Sequence, residues 1–353
     1  LPLPQVPHIL LQYKHSTKRL FIFSFNGVLS HDYSPVPETC APAQNVLCAL
    51  KALCSDPCNI VYVTGGINMQ TMEKIFKDVP RLGLIGEFGF MYSEPTERKE
   101  MREPLCVKKD ATATGELLFN DEKICQSSIP KYIGDICDGR NFRLGCDLNR
   151  RWKLTKTPRK INTEGCAEHD FLLGEWKHAV VNIMSHFSER TPGAYVDETF
   201  LSCVVWRYHH ADKHTGESQT KELFTLLKKM LALQPLDVSV SFPGRIIVVK
   251  PMGSNTANAL TQIFGIQPEI GRKDNVDRHV CNFDFALCIG SHRHDTSMFN
   301  TLLGWYKTGF LLNAYTCIVP KIVCSAHYYL ENREACLDLL TAVSQYLGEN
   351  GEV

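Results

Sequence analysis

The sequence has no excess charge of either sign: 38 Lys and Arg stand against 38 Asp and Glu over 353 residues, a formal net charge of zero. A balanced chain lacks the field that drives wholesale attraction to a polyanion, which argues against nucleic-acid binding. No run of 18 apolar residues occurs, so no segment reads as a membrane span. Residues 1–11 have neither the basic start nor the long apolar stretch of a signal peptide. The spacing Cys-x-x-Cys is missing too, although the chain holds 15 cysteines; Cys54 and Cys58 come nearest, with three residues between them. Scattered, odd-numbered cysteines without a secretory segment predict reduced, mostly buried thiols in a cytoplasmic protein. There are no internal repeats and no low-complexity tract. The first residue is Leu, which suggests a piece of a longer chain.

What is present is an ordinary globular composition, 44% hydrophobic and 22% charged. Short apolar runs at 20–23, 60–63, 82–85 and 285–289 read as buried strands. Helical patterns follow three of them: Val46, Leu47, Leu50 and Leu53; then Met72, Ile75 and Phe76; then Met298, Phe299 and Leu302. Strand, loop and helix in repetition imply a parallel sheet with crossover helices, an α/β core. Residues 176–187 form a helix with an apolar face. Beyond it, strands at 195–196, 201–206, 238–242 and 246–249 and a helix at 220–233 describe a small α+β module. The expected division is a first part of the core at 1–92, an irregular insertion at 93–173, a connecting helix at 174–189, an α+β cap at 190–252 and the rest of the core at 253–353. Residues 140–160 hold eight Lys or Arg against one Asp, with Trp152 among them, and read as a solvated face or a docking patch for an acidic protein.

Ligands of open parallel sheets bind past the carboxyl ends of the strands, near the switch in strand order. The residues there are Ser24-Phe25-Asn26-Gly27, Thr64-Gly65-Gly66, Gly86-Glu87-Phe88-Gly89 and Gly290-Ser291-His292-Arg293-His294-Asp295. His292, His294 and Asp295 in one loop raise a minority reading as a metal site. Cys106, Cys125, Cys137, Cys146 and Cys166 with His169 raise another, a zinc clip, but the spacings fit no finger pattern.

These corners, in this order, resemble the haloacid-dehalogenase superfamily and, more closely, trehalose-6-phosphate phosphatases. The resemblance is carried by Gly83-Leu84-Ile85-Gly86-Glu87-Phe88-Gly89, Glu189-Arg190-Thr191-Pro192-Gly193, Trp206-Arg207-Tyr208-His209-His210-Ala211-Asp212, Lys250-Pro251-Met252-Gly253-Ser254-Asn255 and Asp284-Phe285-Ala286-Leu287-Cys288-Ile289-Gly290, over 1–92 and 174–303. It implies a haloacid-dehalogenase-like, Rossmann-like parallel core with a smaller α+β cap. It also implies a reaction through an Asp nucleophile and a second Asp two residues on, at positions that here are Ser24 and Asn26. The phosphate-bonding Thr is present as Thr64. The family's Lys is Thr256, and the acidic pair for Mg²⁺ begins with Ser291 and His292, leaving Asp295. The resemblance places sugar recognition at Glu87, Arg190 and Glu198, with Thr199 for a Lys, His209 for an Arg and Arg207 displaced by two; Asn255 completes this possible sugar-phosphate set.

Ser, Asn and Ser in place of three carboxylates leave no usable Mg²⁺ site, so no cofactor is expected and the chain reads as a pseudophosphatase. The resemblance implies a regulatory or scaffolding subunit of a fungal trehalose-synthesis complex, partnered by trehalose-6-phosphate synthase and phosphatase subunits. The domain would then follow a synthase domain. The alternatives are a phosphatase with residual activity through Ser24 and a module that senses a sugar phosphate, with weak binding of trehalose-6-phosphate.

Overall fold

The computed structural model describes residues 6–30, 41–95, 150, 152–155, 175–241, 244–265 and 283–350. Its larger sheet has eight strands: β1 Arg19–Ser24, β2 Asn59–Thr64, β3 Leu82–Gly86, β4 Met91–Ser93, β5 Lys153–Leu154, β10 Phe285–Gly290, β11 Ala314–Ile318 and β12 Tyr328–Tyr329. Their order is β12-β11-β10-β1-β2-β3-β4-β5. From β12 to β3 all pairs are parallel, and β4 and β5 close the far edge antiparallel. The chain builds from β1 outward to one side and later returns to its other side as β10. The order therefore switches beside β1.

Alternation along β1 feeds both faces of this sheet. Phe21 and Phe23 point to the face covered by helices α1 (Val6–Lys14), α2 (Gln44–Ser55), α3 (Met69–Phe76) and α8 (Arg333–Asn350), where Tyr13, Leu50, Met72 and Leu340 are buried with them. Leu20 and Ile22 point to the other face, under α6 (Thr256–Phe264) and α7 (Thr296–Thr308), against Leu260, Met298 and Leu302. With both faces covered, the strands are continuous apolar runs, which is why they were readable in the sequence. The expected strands at 20–23, 60–63, 82–85 and 285–289 each lie within one of β1, β2, β3 and β10.

The second sheet has the antiparallel order β6-β7-β9-β8, from β6 Tyr195–Asp197, β7 Val204–Arg207, β8 Leu236–Ser241 and β9 Ile246–Pro251. It packs Val204, Trp206, Val238, Ile247 and Val249 against α4 (Glu175–Arg190) and α5 (Lys213–Met230), through Val180, Met184, Leu223 and Leu227. Two expectations shift here. The helix expected at 220–233 starts two turns earlier, because Asp212 caps it by accepting from Thr215 N at 2.9 Å. The strand expected from 201 begins at Val204, because the N–H groups of Leu201 and Ser202 are spent on a carboxylate of the larger domain.

Residues 150 and 152–155 correct the reading of 140–160 as a solvated face. Trp152 is fully buried and its Nε1 donates to Glu73 Oε2 at 3.1 Å, while Arg150 N donates to Glu73 Oε1 at 2.9 Å. The Arg150 guanidinium is buried as well and donates to the carbonyls of Val79 and Leu82. The rest of that stretch, most of the expected insertion and the proposed zinc ligands lie outside the described residues. Trp152→Ala is expected to cost about 3–5 kcal/mol of stability, read as a lower urea midpoint. A solvated tryptophan would cost about 0.5 kcal/mol or less.

Candidate functional site

Register builds the site. β1 pairs Ser24 with Thr64 on β2 and Phe23 with Ile289 on β10, so three strands end at one level. Beyond that level Phe25 N donates to Thr64 O at 2.7 Å, and Gly27 takes a positive φ of 75° that a side chain would strain. The smaller sheet roofs these ends over a partly open cavity of about 320 Å³. Its floor holds Ser24, Asn26, Thr64, Asn255, Thr256, His292, His294 and Asp295, its roof Arg207, His209, Ser239, Ser241, Ile246, Val248 and Lys250, and Phe88 from the turn after β3 lies at its side.

The floor is tied together by its own groups. Thr64 Oγ1 and Thr256 Oγ1 share a hydrogen bond of 2.9 Å. Asp295 Oδ2 accepts from Ser291 N at 2.8 Å and His292 N at 3.1 Å. Ser291 Oγ donates to Asn26 O at 2.6 Å and lies against His292 Nδ1. Asn255 caps α6, accepting from Asn258 N at 2.9 Å. Gly89, with a φ of 90°, lets the turn after β3 touch the Asn255 backbone, where a Cβ would come within 2.2 Å. That close approach holds the start of α6 beside the end of β2.

In the roof, Arg207 Nε donates to Asp197 Oδ2 at 2.7 Å, with both side chains mostly buried, so its charge is compensated. Burial first, then the neighbouring His210, Arg207 and Arg245, push the His209 imidazole down to about 4, leaving it neutral near pH 7. Its Nε2 is buried without a hydrogen-bond partner.

The structure brings Ser24, Asn26, Thr64, Thr256, Asp295, Arg207, His209 and Asn255 to the cavity, and Ser291 bonds to its floor from beneath. Glu87, Arg190 and Glu198 do not line it. Glu87 is fully buried at the junction of the two sheets, accepting from Leu201 N at 3.1 Å, Ser202 N at 2.8 Å and Ser202 Oγ at 2.6 Å. Loss of hydration raises its pKa. Arg190 ends α4 at the surface over the Phe187 ring, 5.7 Å away, and Glu198 is exposed. Sequence reasoning missed Lys250, Ser239 and Ser241 as cavity residues. The signal for Lys250 was period-two alternation along β9, which puts Ile246, Val248 and Lys250 on one face. Among the described residues, no three His, Cys, Asp or Glu side chains are grouped as a metal site, and no helix is long and apolar enough to cross a membrane.

A family model described as Trehalose-phosphatase matches residues 22–332. The chain is 22% identical over 334 residues to the "Probable alpha,alpha-trehalose-phosphate synthase [UDP-forming] 11" of Arabidopsis thaliana, covering 94% of this chain and 30% of that one. It is 22% identical over 302 residues to the "Trehalose-phosphatase" of Zygosaccharomyces rouxii, covering 84% and 26%. It thus spans about a third or less of the curated relatives it matches, which come from a plant, Dictyostelium discoideum and a yeast and do not single out a fungal source. Among solved structures, the C-terminal domain of C. albicans trehalose-6-phosphate phosphatase superposes with a TM-score of 0.67 at 19% identity, covering 98% of this chain and 99% of that one. The C-terminal domain of the Candida albicans trehalose synthase regulatory protein does so with 0.61 at 13% identity, covering 97% and 99%. The fold is of haloacid-dehalogenase type, and the chain belongs to the trehalose-phosphatase family.

Proposed function

We propose that this chain is a non-catalytic trehalose-phosphatase-like domain that regulates or scaffolds a trehalose-synthesis assembly, in contact with synthase and phosphatase subunits in the cytoplasm. The observation that carries the reading is the end of β1, where Ser24 and Asn26 stand in the cavity at the positions of the family's two aspartates. A serine hydroxyl attacks phosphorus only if a base removes its proton. Among the described residues no hydrogen bond joins Ser24 Oγ to His292, His294 or Asp295. The Asn26 amide has no acidic proton to transfer to a leaving group and is too weak a base to take one from water, which removes an effect worth on the order of 10²–10⁴ in rate.

The donor set does not fit Mg²⁺. The ion takes hard oxygen ligands in near-octahedral geometry and binds protein through carboxylates. Of the expected positions only Asp295 is a carboxylate, and one of its oxygens already accepts two backbone N–H groups. Thr256, where the family has a Lys, bonds to Thr64 instead of presenting a positive charge. Similarity to a regulatory protein's C-terminal domain accords with this reading. The partly open cavity favours one further possibility within it, that a ligand still binds and reports to partners.

The purified chain is expected to release no phosphate from trehalose-6-phosphate above the protein-free rate, with or without Mg²⁺. Release that Thr64→Ala abolishes would overturn the reading. Ser24→Asp, Asn26→Asp, Ser291→Asp and Thr256→Lys combined are expected to restore measurable Mg²⁺-dependent release. Failure of that well-folded variant would contradict the assignment of the loss to these four positions.

A further inference from the structure

Three large apolar side chains stand exposed within one short stretch of the smaller module. Leu226 and Met230 lie in the last turns of α5 and Leu233 just beyond it, almost wholly bare to solvent. The opposite side of the same helix gives Leu223 and Leu227 to the core of the module, so the outer face takes no part in that packing. Clustered exposed apolar groups of this kind mark a contact surface.

The polar residues of that face have a pattern of their own. Ser218, Glu222, Thr225 and Lys229 recur at i, i+4, i+7 and i+11, which sets them along one seam of α5. With Leu226 beside them and Lys221 at the edge, they line a shallow depression next to Phe187 of α4. Glu222 has one long bond, from Gln219 Nε2 at 3.5 Å. Among the described residues neither Glu222 nor Lys229 is in an ion pair, whereas Lys228 is already held by Asp237 at 3.3 Å. A seam that carries both signs does not select a uniformly acidic or basic partner. It is complementary to itself when reversed.

In a twofold-symmetric pair of antiparallel helices, facing residues have numbers that add to a constant. With the axis between Thr225 and Leu226, Glu222 of each copy faces Lys229 of the other. The same axis lays the Lys221 stem against Met230 of the second copy and Ser218 against its Leu233. A parallel arrangement would set Lys229 against Lys229 and Glu222 against Glu222, so charge selects the antiparallel one.

We infer that this face of α5 pairs with the same face of a second copy of the chain, antiparallel about a twofold axis. The two Glu222–Lys229 pairs set the register, and Leu226, Met230 and Leu233 supply most of the attraction. One helix face per copy is at the small end of specific interfaces, so the dimer is expected to dissociate in the range of about 10–100 µM. The inference is independent of the non-catalytic reading and goes beyond it. It gives a scaffolding domain two symmetric copies of every surface left free.

The test is sedimentation velocity of the purified chain from about 5 to 500 µM, which spans the expected transition. A concentration-dependent monomer–dimer equilibrium is expected, weakened tenfold or more by Leu226→Asp. Glu222→Lys and Lys229→Glu each turn two attractive pairs into two repulsive ones, so either alone should weaken the dimer about tenfold. The two substitutions in one chain should restore most of the parental affinity. An equimolar mixture of the two single variants should associate better than either alone, since each supplies the sign that the other lacks. These side chains are solvent-exposed, and thermal melts check that every variant keeps its fold. A parent that stays monomeric throughout the range, a dimer that none of these substitutions weakens, or a double variant that recovers nothing would overturn the inference.

Discussion

The in-register parallel pairing of β1 with β2 and β10 is the constraint on which the rest depends. It fixes three strand ends at one level and sets Ser24 opposite Thr64. It also delivers the turn after β10 to the turn after β1, where Ser291 Oγ reaches Asn26 O. A slip of one residue would turn Phe21 and Phe23 out of their helix-covered face and put Leu20 and Ile22 in their place, so both buried faces enforce the register. Chemistry at this corner is therefore decided by side-chain identity alone. The backbone presents the same positions whether they carry Asp or Ser.

The replacements form a consistent set. In the proposed reading, Ser24 and Asn26 in place of two aspartates at the end of β1 would take away the nucleophile, the acid and ligands of the metal together. Asp295 then serves as a cap on the backbone of its own loop. Glu87 ties the two sheets, its carboxylate accepting three hydrogen bonds from residues 201 and 202 while Asn68 Nδ2 donates to Thr199 Oγ1 at 3.0 Å. Phe88 and Phe200 pack across the same junction with ring centres 6.0 Å apart. These links tie the smaller sheet to the larger at this junction.

The parallel core was legible because strands buried on both faces become unbroken apolar runs, and the corner residues follow directly from where those runs end. β4, β5, β11 and β12 were not: β4, β5 and β12 are only two or three residues long, and β11, Ala314-Tyr315-Thr316-Cys317-Ile318, is broken by a polar residue and follows no clear apolar run. Trp152 and Arg150 were misread for a specific reason: a local excess of basic residues looks solvated, and only the tertiary structure reveals Glu73 waiting for their N–H groups. Glu87 was placed at a sugar site by family position, yet its carboxylate turns to the backbone of the 201–202 loop. The cavity-facing role of Lys250 required knowing that β9 is a roof strand, which depends on contacts between segments far apart in the chain.

We propose that the corner of β1 and β10 does not hold a divalent cation. Titration of the metal-free chain with Mg²⁺ by calorimetry tests this most directly. The account predicts no saturable site at millimolar Mg²⁺, with the same trace from the parent chain and from Asp295→Asn. A single saturable site that Asp295→Asn removes would contradict it.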